Sequence, residues 1–269
     1  NVVMIDGEPV IFSVSQSGDY IDFNSDDERA VSKLKYIFDL DYDLEKFYSY
    51  LNDHEELRDM SKFCNGLRLF LAPDPFECII SSICSANNSI KRWTKSISQM
   101  KQKWGNRYQD YYTFPQSSDL AKVYLDEEEE FNRSSVSDIS KCCNNLKNCG
   151  VGYRAPYMRR ASEIFTLEMD LSEIFSMSYD EAFETIMEVP GVGPKVADCI
   201  LLYGFNFREA FPSDVWIKRI VSHLYFDGKD ISVPKVREFG MEEFGDNAGY
   251  VQLYMFHYAR MSGLMNKLK

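Results

Sequence analysis

Lys195 and Asp214, with a glycine-rich turn just ahead of the lysine, are the residues of this chain best suited to chemistry. A lysine amine is a nucleophile when uncharged, and a carboxylate can offset positive charge. The turn Val189-Pro190-Gly191-Val192-Gly193 follows an apolar helical run from Tyr179 to Glu188, and Pro194 suits the first turn of a second helix. Gly191 and Gly193 lack a Cβ, so the backbone can turn sharply and offer bare N–H groups at a helix N-terminus, a ready phosphate site. Plainer readings exist for each residue alone: a first-turn lysine is commonly solvated, and an aspartate after Pro-Ser is commonly an N-cap. The ordered set is far more specific than a bare Gly-x-Gly.

Helices must hold that set in place, and the apolar spacing supplies them. Residues 9–23 read as two short strands joined by a Ser17-Gly18-Asp19 turn. Val31, Leu34 and Phe38, then Leu44, Phe47, Tyr48 and Leu51, fall at helical spacing, which gives a small α+β unit up to about residue 65. From Pro75 the pattern is nearly all helix. One helix runs from Phe76 to Cys84 and breaks at Ser85-Ala86-Asn87-Asn88-Ser89; the next carries Ile90, Trp93, Ile97, Met100 and Trp104. Residues 117–140 are polar, acidic and Ser-rich, and read as a largely solvated, partly disordered insertion. Helices resume at Ile139–Asn148 and Ala155–Met169, and a last aromatic one spans Gly249 to Leu264. The expected fold is mostly α with a small N-terminal α+β domain built on an antiparallel sheet. Its expected units are 1–65, 66–188 with the insertion, and 189–269 with the hairpin and C-terminal helices.

A chain of 269 residues with 45% hydrophobic and 27% charged residues can bury a sizeable core. No apolar run approaches a membrane span and no signal segment opens the chain, so no membrane partner is expected. The chain starts at Asn1 rather than Met, so native residues upstream are expected. Seven cysteines, an odd number, suit a reducing cytoplasmic or nuclear compartment better than a disulfide framework. Cys142, Cys143 and Cys149 cluster without a matching His or CxxC pair, so no metal site is expected. The net charge of −12 argues against nucleic acid at first sight, yet binding needs only one basic face. Much of the acid is local, in Asp126 to Glu130, while Lys91, Arg92, Lys95, Arg154, Arg159, Arg160, Lys218 and Arg219 gather near the candidate site.

Two helices around PGVGPK, with an aspartate about twenty residues on, resemble the helix-hairpin-helix DNA glycosylase superfamily. The lysine marks its bifunctional members, which release a base and then nick the strand. The absence of four cysteines after the hairpin sets the chain apart from the iron–sulfur members of the endonuclease III kind. From about residue 65 to 262 the resemblance narrows to the 8-oxoguanine DNA glycosylases, through GLRLFLAPDPFECIISSICSANNSIKRW, GVGYRAPY and FGDNAGYVQLYMF. It implies a helix-hairpin-helix glycosylase architecture acting as a monomer on duplex DNA that contains oxidised guanine.

Carried over by that resemblance, Asn87 enters the gap left by the flipped base, Tyr153 is a wedge, and Arg92 and Arg154 read the opposite cytosine. An amide and two guanidiniums can satisfy the exposed pairing edge of an orphaned cytosine. Gln252 bonds the damaged base's pairing edge, Phe256 stacks on it and Cys199 lies on its other side; spacing alone would leave Phe256 and Cys199 as core. Gly191, Val192 and Gly193 hold a DNA phosphate. The chemistry implied is attack of Lys195 on C1′, followed by β-elimination, with Asp214 as electrostatic support. No cofactor is needed, and a structural cation at the hairpin carbonyls is accessory. The lysine must act uncharged, so partial burial or a positive neighbour is expected. Two departures stand out. No Gly-Gln-x-Phe strand segment to read the lesion stands from Asn1 onward, which leaves a place for it upstream of Asn1, and Trp216 stands where many members have a phosphate-binding histidine, its indole N–H still able to donate to a phosphate. A glycosylase for alkylated bases normally lacks the lysine, and a non-catalytic hairpin module has no reason to keep the lysine, aspartate and pocket together.

Overall fold

Asp6 and Gly7 sit at positive φ, 51° and 80°, which a two-residue type I′ turn requires. They close a hairpin between β1 (Val2–Ile5) and β2 (Glu8–Ser17). β2 continues into antiparallel pairing with β3 (Tyr20–Ser25), so the sheet has three strands in the order β1-β2-β3. The residue pattern anticipates β2 and β3 but not β1, whose Val2-Val3-Met4-Ile5 run is too short and evenly apolar to alternate. The structure, a computed structural model, describes residues 1–18 and 20–268, and Asp19 of the expected turn lies outside them. Val3, Val10 and Phe12 of the sheet meet Ala30, Leu34 and Ile37 of α1 (Arg29–Ile37) in a small core of their own.

Beyond α1 the helices share one large core. α2 (Leu44–Asp53) and α3 (Arg58–Phe63) already belong to it through Phe47, Leu51 and Met60. Asp39 ties the end of α1 to later elements: 4% exposed, it accepts from Arg208 Nη2 at 2.6 Å and from the Tyr250 hydroxyl at 2.8 Å. α4 (Pro75–Ser85) starts on an Asp74 cap and a first-turn proline, and buries Phe76, Ile79, Ile80, Ile83 and Cys84. After the break at 86–89 comes α5 (Ile90–Trp104), then a short hairpin of β4 (Arg107–Tyr108) and β5 (Tyr111–Tyr112).

The acidic stretch is not the loose insertion its composition suggests. It contains α6 (Ser117–Leu120) and α7 (Glu127–Arg133). Asp126 caps α7 by accepting from Glu129 N at 3.0 Å, and the first-turn glutamates lie at the favourable end of the helix dipole. Glu130, 4% exposed, accepts from Cys143 N at 3.2 Å and Asn145 Nδ2 at 2.8 Å, while Glu129 pairs with Arg159 and Arg133 at 2.6 and 2.7 Å. Carboxylates that composition assigns to solvent therefore peg the segment down, Glu129 to α8 (Ala155–Leu167) and Glu130 to the loop at 143–145. The single helix expected over 139–148 is likewise two 3-10 turns, Ile139–Lys141 and Lys147–Cys149. Between them buried Asn145 bonds Glu130 and the backbone N of Asn148, a local alternative that competes with helix.

The rest of the chain is α9 (Leu171–Ile174), α10 (Tyr179–Met187), α11 (Pro194–Phe205), α12 (Val215–Tyr225), α13 (Val233–Phe244), α14 (Ala248–Met261) and α15 (Leu264–Lys267). α11 packs against both α4 and α10, and α12, α13 and α14 pack on one another. The fold is mostly α with a small N-terminal antiparallel sheet. Among the described residues no helix is long and apolar enough to cross a membrane.

Candidate active site and nucleic-acid interface

The hairpin between α10 and α11 is built by residues that stop one helix and start the next. A Ser178–Glu181 capping box opens α10. Gly191 then takes φ +85°, and a Cβ there would lie 2.7 Å from Tyr157 Cδ2 of α8, so both conformation and space demand glycine. Gly193 caps α11 with no side-chain bond, and Pro194 fills the first position. The N–H groups of Gly191, Gly193 and Lys195 make no hydrogen bond among the described residues, which leaves the turn open to an anion. Val192 is buried, 9% exposed, and anchors the turn in the core while its neighbours face out.

Lys195 leaves the first turn of α11 exposed, not partly buried as its chemistry led us to expect. One turn on, Cys199 is half-buried. Burial pushes its thiol up, the Lys195 ammonium beside it pulls the other way, and Asp198 and Asp214 add to the rise. Lys195 and Asp214 are thus each within electrostatic reach of Cys199. Asp214 is half-buried and caps α12 by accepting from Trp216 N at 2.8 Å and Ile217 N at 2.9 Å. Both bonds go to Oδ1; Oδ2 accepts none among the described residues. The plain capping reading and the chemical one therefore hold together in a single carboxylate.

α14 carries the two remaining candidates for holding a base. Gln252, 9% exposed, donates from Nε2 to Pro212 O at 3.2 Å, which ties it to the segment leading into Asp214. Phe256, one turn later, is half-buried. That segment runs close to α13, where a Cβ on Gly240 would lie 2.3 Å from the Phe211 ring.

A second group of candidates lies on two loops. Asn87 is exposed and takes φ +50°, in the turn between α4 and α5. Tyr153 is 58% exposed ahead of α8, its ring edge-on to Tyr157 at 6.4 Å. Arg92 on α5 is exposed and its side chain makes no hydrogen bond or ion pair among the described residues. Arg154 is different: only 7% exposed, it bonds the carbonyls of Ala86, Asn87 and Val151. The basic cluster is also thinner than the sequence suggests. Arg159 is paired with Glu129, Arg160 with Glu168 at 2.7 Å and Lys218 with Asp230 at 2.6 Å. Lys91, Arg92 and Lys95 stay exposed and unpaired among the described residues, and Arg219 lies 5.1 Å over the Trp216 ring.

Sequence reasoning missed a buried clamp behind the lysine. Asp198, fully buried on α11, accepts from Arg237 Nε at 2.7 Å and Nη2 at 3.0 Å and from the Tyr179 hydroxyl. Burial, then Asp198, pushes the Tyr179 phenol well above its usual range, so it stays a donor. Only a charged residue inside the apolar run VADCILL signalled it.

Comparison with known proteins agrees with this geometry. Residues 80–245 match the HhH-GPD superfamily base excision DNA repair protein family, and residues 2–79 match the 8-oxoguanine DNA glycosylase N-terminal domain. A probable N-glycosylase/DNA lyase of Methanothermobacter thermautotrophicus is 49% identical over 88% of this chain and 77% of its own length. The N-glycosylase/DNA lyase of Saccharomyces cerevisiae is 30% identical over 60% of this chain, a match that spans 42% of the yeast protein. The Clostridium acetobutylicum 8-oxoguanine glycosylase/lyase, solved with duplex DNA containing cytosine opposite 8-oxoguanine, superposes with a TM-score of 0.80 at 30% identity. That match covers 97% of this chain and 85% of the clostridial one. This chain belongs to the HhH-GPD superfamily of base excision DNA repair proteins and carries the N-terminal domain of the 8-oxoguanine DNA glycosylases.

Proposed function

We propose that this protein is a bifunctional DNA glycosylase and AP lyase that excises 8-oxoguanine from duplex DNA, preferentially opposite cytosine. The observation that carries the reading is one lysine, Lys195, one helical turn from Cys199 at the edge of a turn with free N–H groups, together with a helix-capping carboxylate, Asp214, that keeps one oxygen spare. The flipped nucleotide enters between α11 and α14, Phe256 stacking on the base and Gln252 Oε1 facing its pairing edge. Its phosphate sits on the Gly191–Lys195 N–H groups, with Trp216 donating from the indole. Asn87 and Tyr153 fill the space left in the duplex. Lys195, exposed in the free protein, is covered by the duplex once the nucleotide is bound.

In the first step the Lys195 amine forms a bond to C1′, and the glycosidic electron pair leaves with the base. Asp214 Oδ2 supports the positive charge that develops on the sugar. Loss of a proton from nitrogen and opening of the sugar ring give the Schiff base. Removal of a C2′ proton then drives the 3′ phosphate off by β-elimination, and water releases the lysine. No step needs a metal or cofactor. The Gly191 and Val192 carbonyls accept no hydrogen bond among the described residues and suit an accessory structural cation. One lesion in a duplex offers no two-fold target, so the enzyme acts as a monomer.

The test is incubation with duplexes carrying one 8-oxoguanine opposite each normal base, with borohydride present. A trapped covalent complex and a nick, strongest opposite cytosine, are expected. Lys195→Gln removes both, by roughly a thousandfold or more, while binding to the lesion duplex persists. Undiminished nicking by that variant refutes the assigned nucleophile.

A further inference from the structure

The helices around the candidate site fall into two packed groups. α11, which carries Lys195 and Cys199, packs on α4 and α10, while α12, α13 and α14 pack on one another. Asp214 caps α12, and Gln252 and Phe256 stand on α14, so the candidate residues are divided between the groups. Apolar packing fixes the rotation of α11 poorly, because Ala197, Ile200, Leu201, Leu202 and Phe205 are all buried and ring more than half of the helix. A polar contact bridges the two groups about a turn from the lysine. Asp198, fully buried and three residues after Lys195, accepts from Arg237 Nε of α13 at 2.7 Å on Oδ2 and from its Nη2 at 3.0 Å on Oδ1. The Tyr179 hydroxyl of α10 donates to the same Oδ1 and accepts from Arg237 Nη2, which closes a triangle of three helices. The guanidinium is seated in turn on α10, 4.2 Å over the Phe183 ring. A planar fork on a carboxylate is directional, so turning α11 about its axis breaks it where apolar contacts would merely slide.

We propose that Asp198 is a positioning residue: its fork with Arg237 sets the rotation of α11, and so aligns Lys195 and Cys199 with Asp214 and with the base that α14 receives. A displacement of about 1 Å at the attacking atom is enough to cost about a hundredfold in rate. Duplex binding is spread over many contacts and hardly feels such a shift. The clamp therefore acts on the chemical step and not on affinity. The inference rests on the glycosylase reading above and adds to it the coupling between the two groups of helices.

Asp198→Leu with Arg237→Met fills the site with apolar atoms and leaves the net charge unchanged, so it separates alignment from stability. The measurements are the thermal melt, the dissociation constant for an 8-oxoguanine duplex, and single-turnover excision at saturating enzyme across pH. The expected result is a melt near that of the wild type, affinity within about threefold, and excision slower by about tenfold or more with an unmoved pH profile. A stable double variant that excises as fast as the wild type overturns the proposal, because apolar bulk then suffices. A rate loss with a moved pH profile also overturns it, since the pair would then act on a proton rather than on position. So does an affinity loss as large as the rate loss. Arg237→Lys keeps the charge but not the fork, and is expected to lose rate in the same way. Full activity in that variant overturns the proposal even where the double variant does not fold. A wild type that excises from no duplex refutes the glycosylase reading alone. Crystal structures of the wild type and Arg237→Lys then decide the clamp: α11 turned against α12 and α14, carrying Lys195 by about 1 Å, supports it, and an unmoved α11 overturns it.

Discussion

Asp198→Ala removes the one partner that the Arg237 guanidinium and the Tyr179 hydroxyl share. Asp198 is fully buried and takes two bonds from Arg237, 2.7 and 3.0 Å, in fork geometry, with the phenol as a third donor. Arg237 cannot escape to water easily: its side chain is 21% exposed and lies 4.2 Å over the Phe183 ring. Breaking a buried pair from one side costs about 3–5 kcal/mol, because it strands the other charge. The residual exposure of Arg237 places this case at the lower end, about 3 kcal/mol. At roughly 2–4 °C per kcal/mol for a protein of this size, the melting temperature should fall by about 6–12 °C. Replacing both members by apolar residues, Asp198→Leu with Arg237→Met, should recover most of the loss, since the intact pair gains little over a packed hydrophobic contact. Thermal melts followed by circular dichroism at neutral pH measure both. A single variant that melts within about 2 °C of wild type, or a double variant no better than the single, would refute the accounting.

Asp214→Asn should keep the α12 cap, since asparagine caps as well as aspartate, and leave stability within about 1 kcal/mol. Loss of its charge should slow single-turnover excision by about a hundredfold or more; an unimpaired rate would remove Asp214 from the mechanism. Gly191→Ala must adopt φ +85° and push the Tyr157 ring away from a 2.7 Å contact, so it should cost about 1–3 kcal/mol in urea unfolding and weaken duplex binding. Equal stability would show that the hairpin relaxes freely. Burial alone would raise the Glu129 carboxyl, but bonds from Arg159, Leu125 N and Arg133 outweigh it and hold the group below its ordinary value of 4.5. A depressed carboxyl stabilises the fold above its ordinary value, and that contribution fades as pH falls through the lower folded one. Glu129→Gln should thus be less stable than wild type at pH 7 but not in acid, and urea titrations at the two pH values read the difference directly.

Local signals carried most of the helical architecture. Proline and aspartate at Asp74-Pro75 and glycine and proline at Gly193-Pro194 mark helix starts through covalent geometry and capping, which any fold must respect. The hairpin was legible because an anion-binding turn demands residues without Cβ in a short order, and Gly191 proves to need this twice over. β1 escaped because four apolar residues have no period, although Asp6-Gly7 was a readable turn signal. The acidic segment was misjudged because composition records charge but not its partners. Glu129 and Glu130 face Arg159 and Asn145, 30 and 15 residues away along the chain.

The chain by itself determined which chemistry is available: a lysine, an aspartate and a phosphate-binding turn in one order, on helices whose starts are written locally. Tertiary structure alone decided how those groups are employed. It left Lys195 exposed, gave Asp214 Oδ1 to a helix cap while sparing Oδ2, and drew Arg154 inward onto the carbonyls around Asn87. It also set Asp198 of α11 against Arg237 of α13. Identity and spacing are properties of the chain, whereas burial, pairing and the choice among acceptors depend on which distant segments meet, and only packing brings those together.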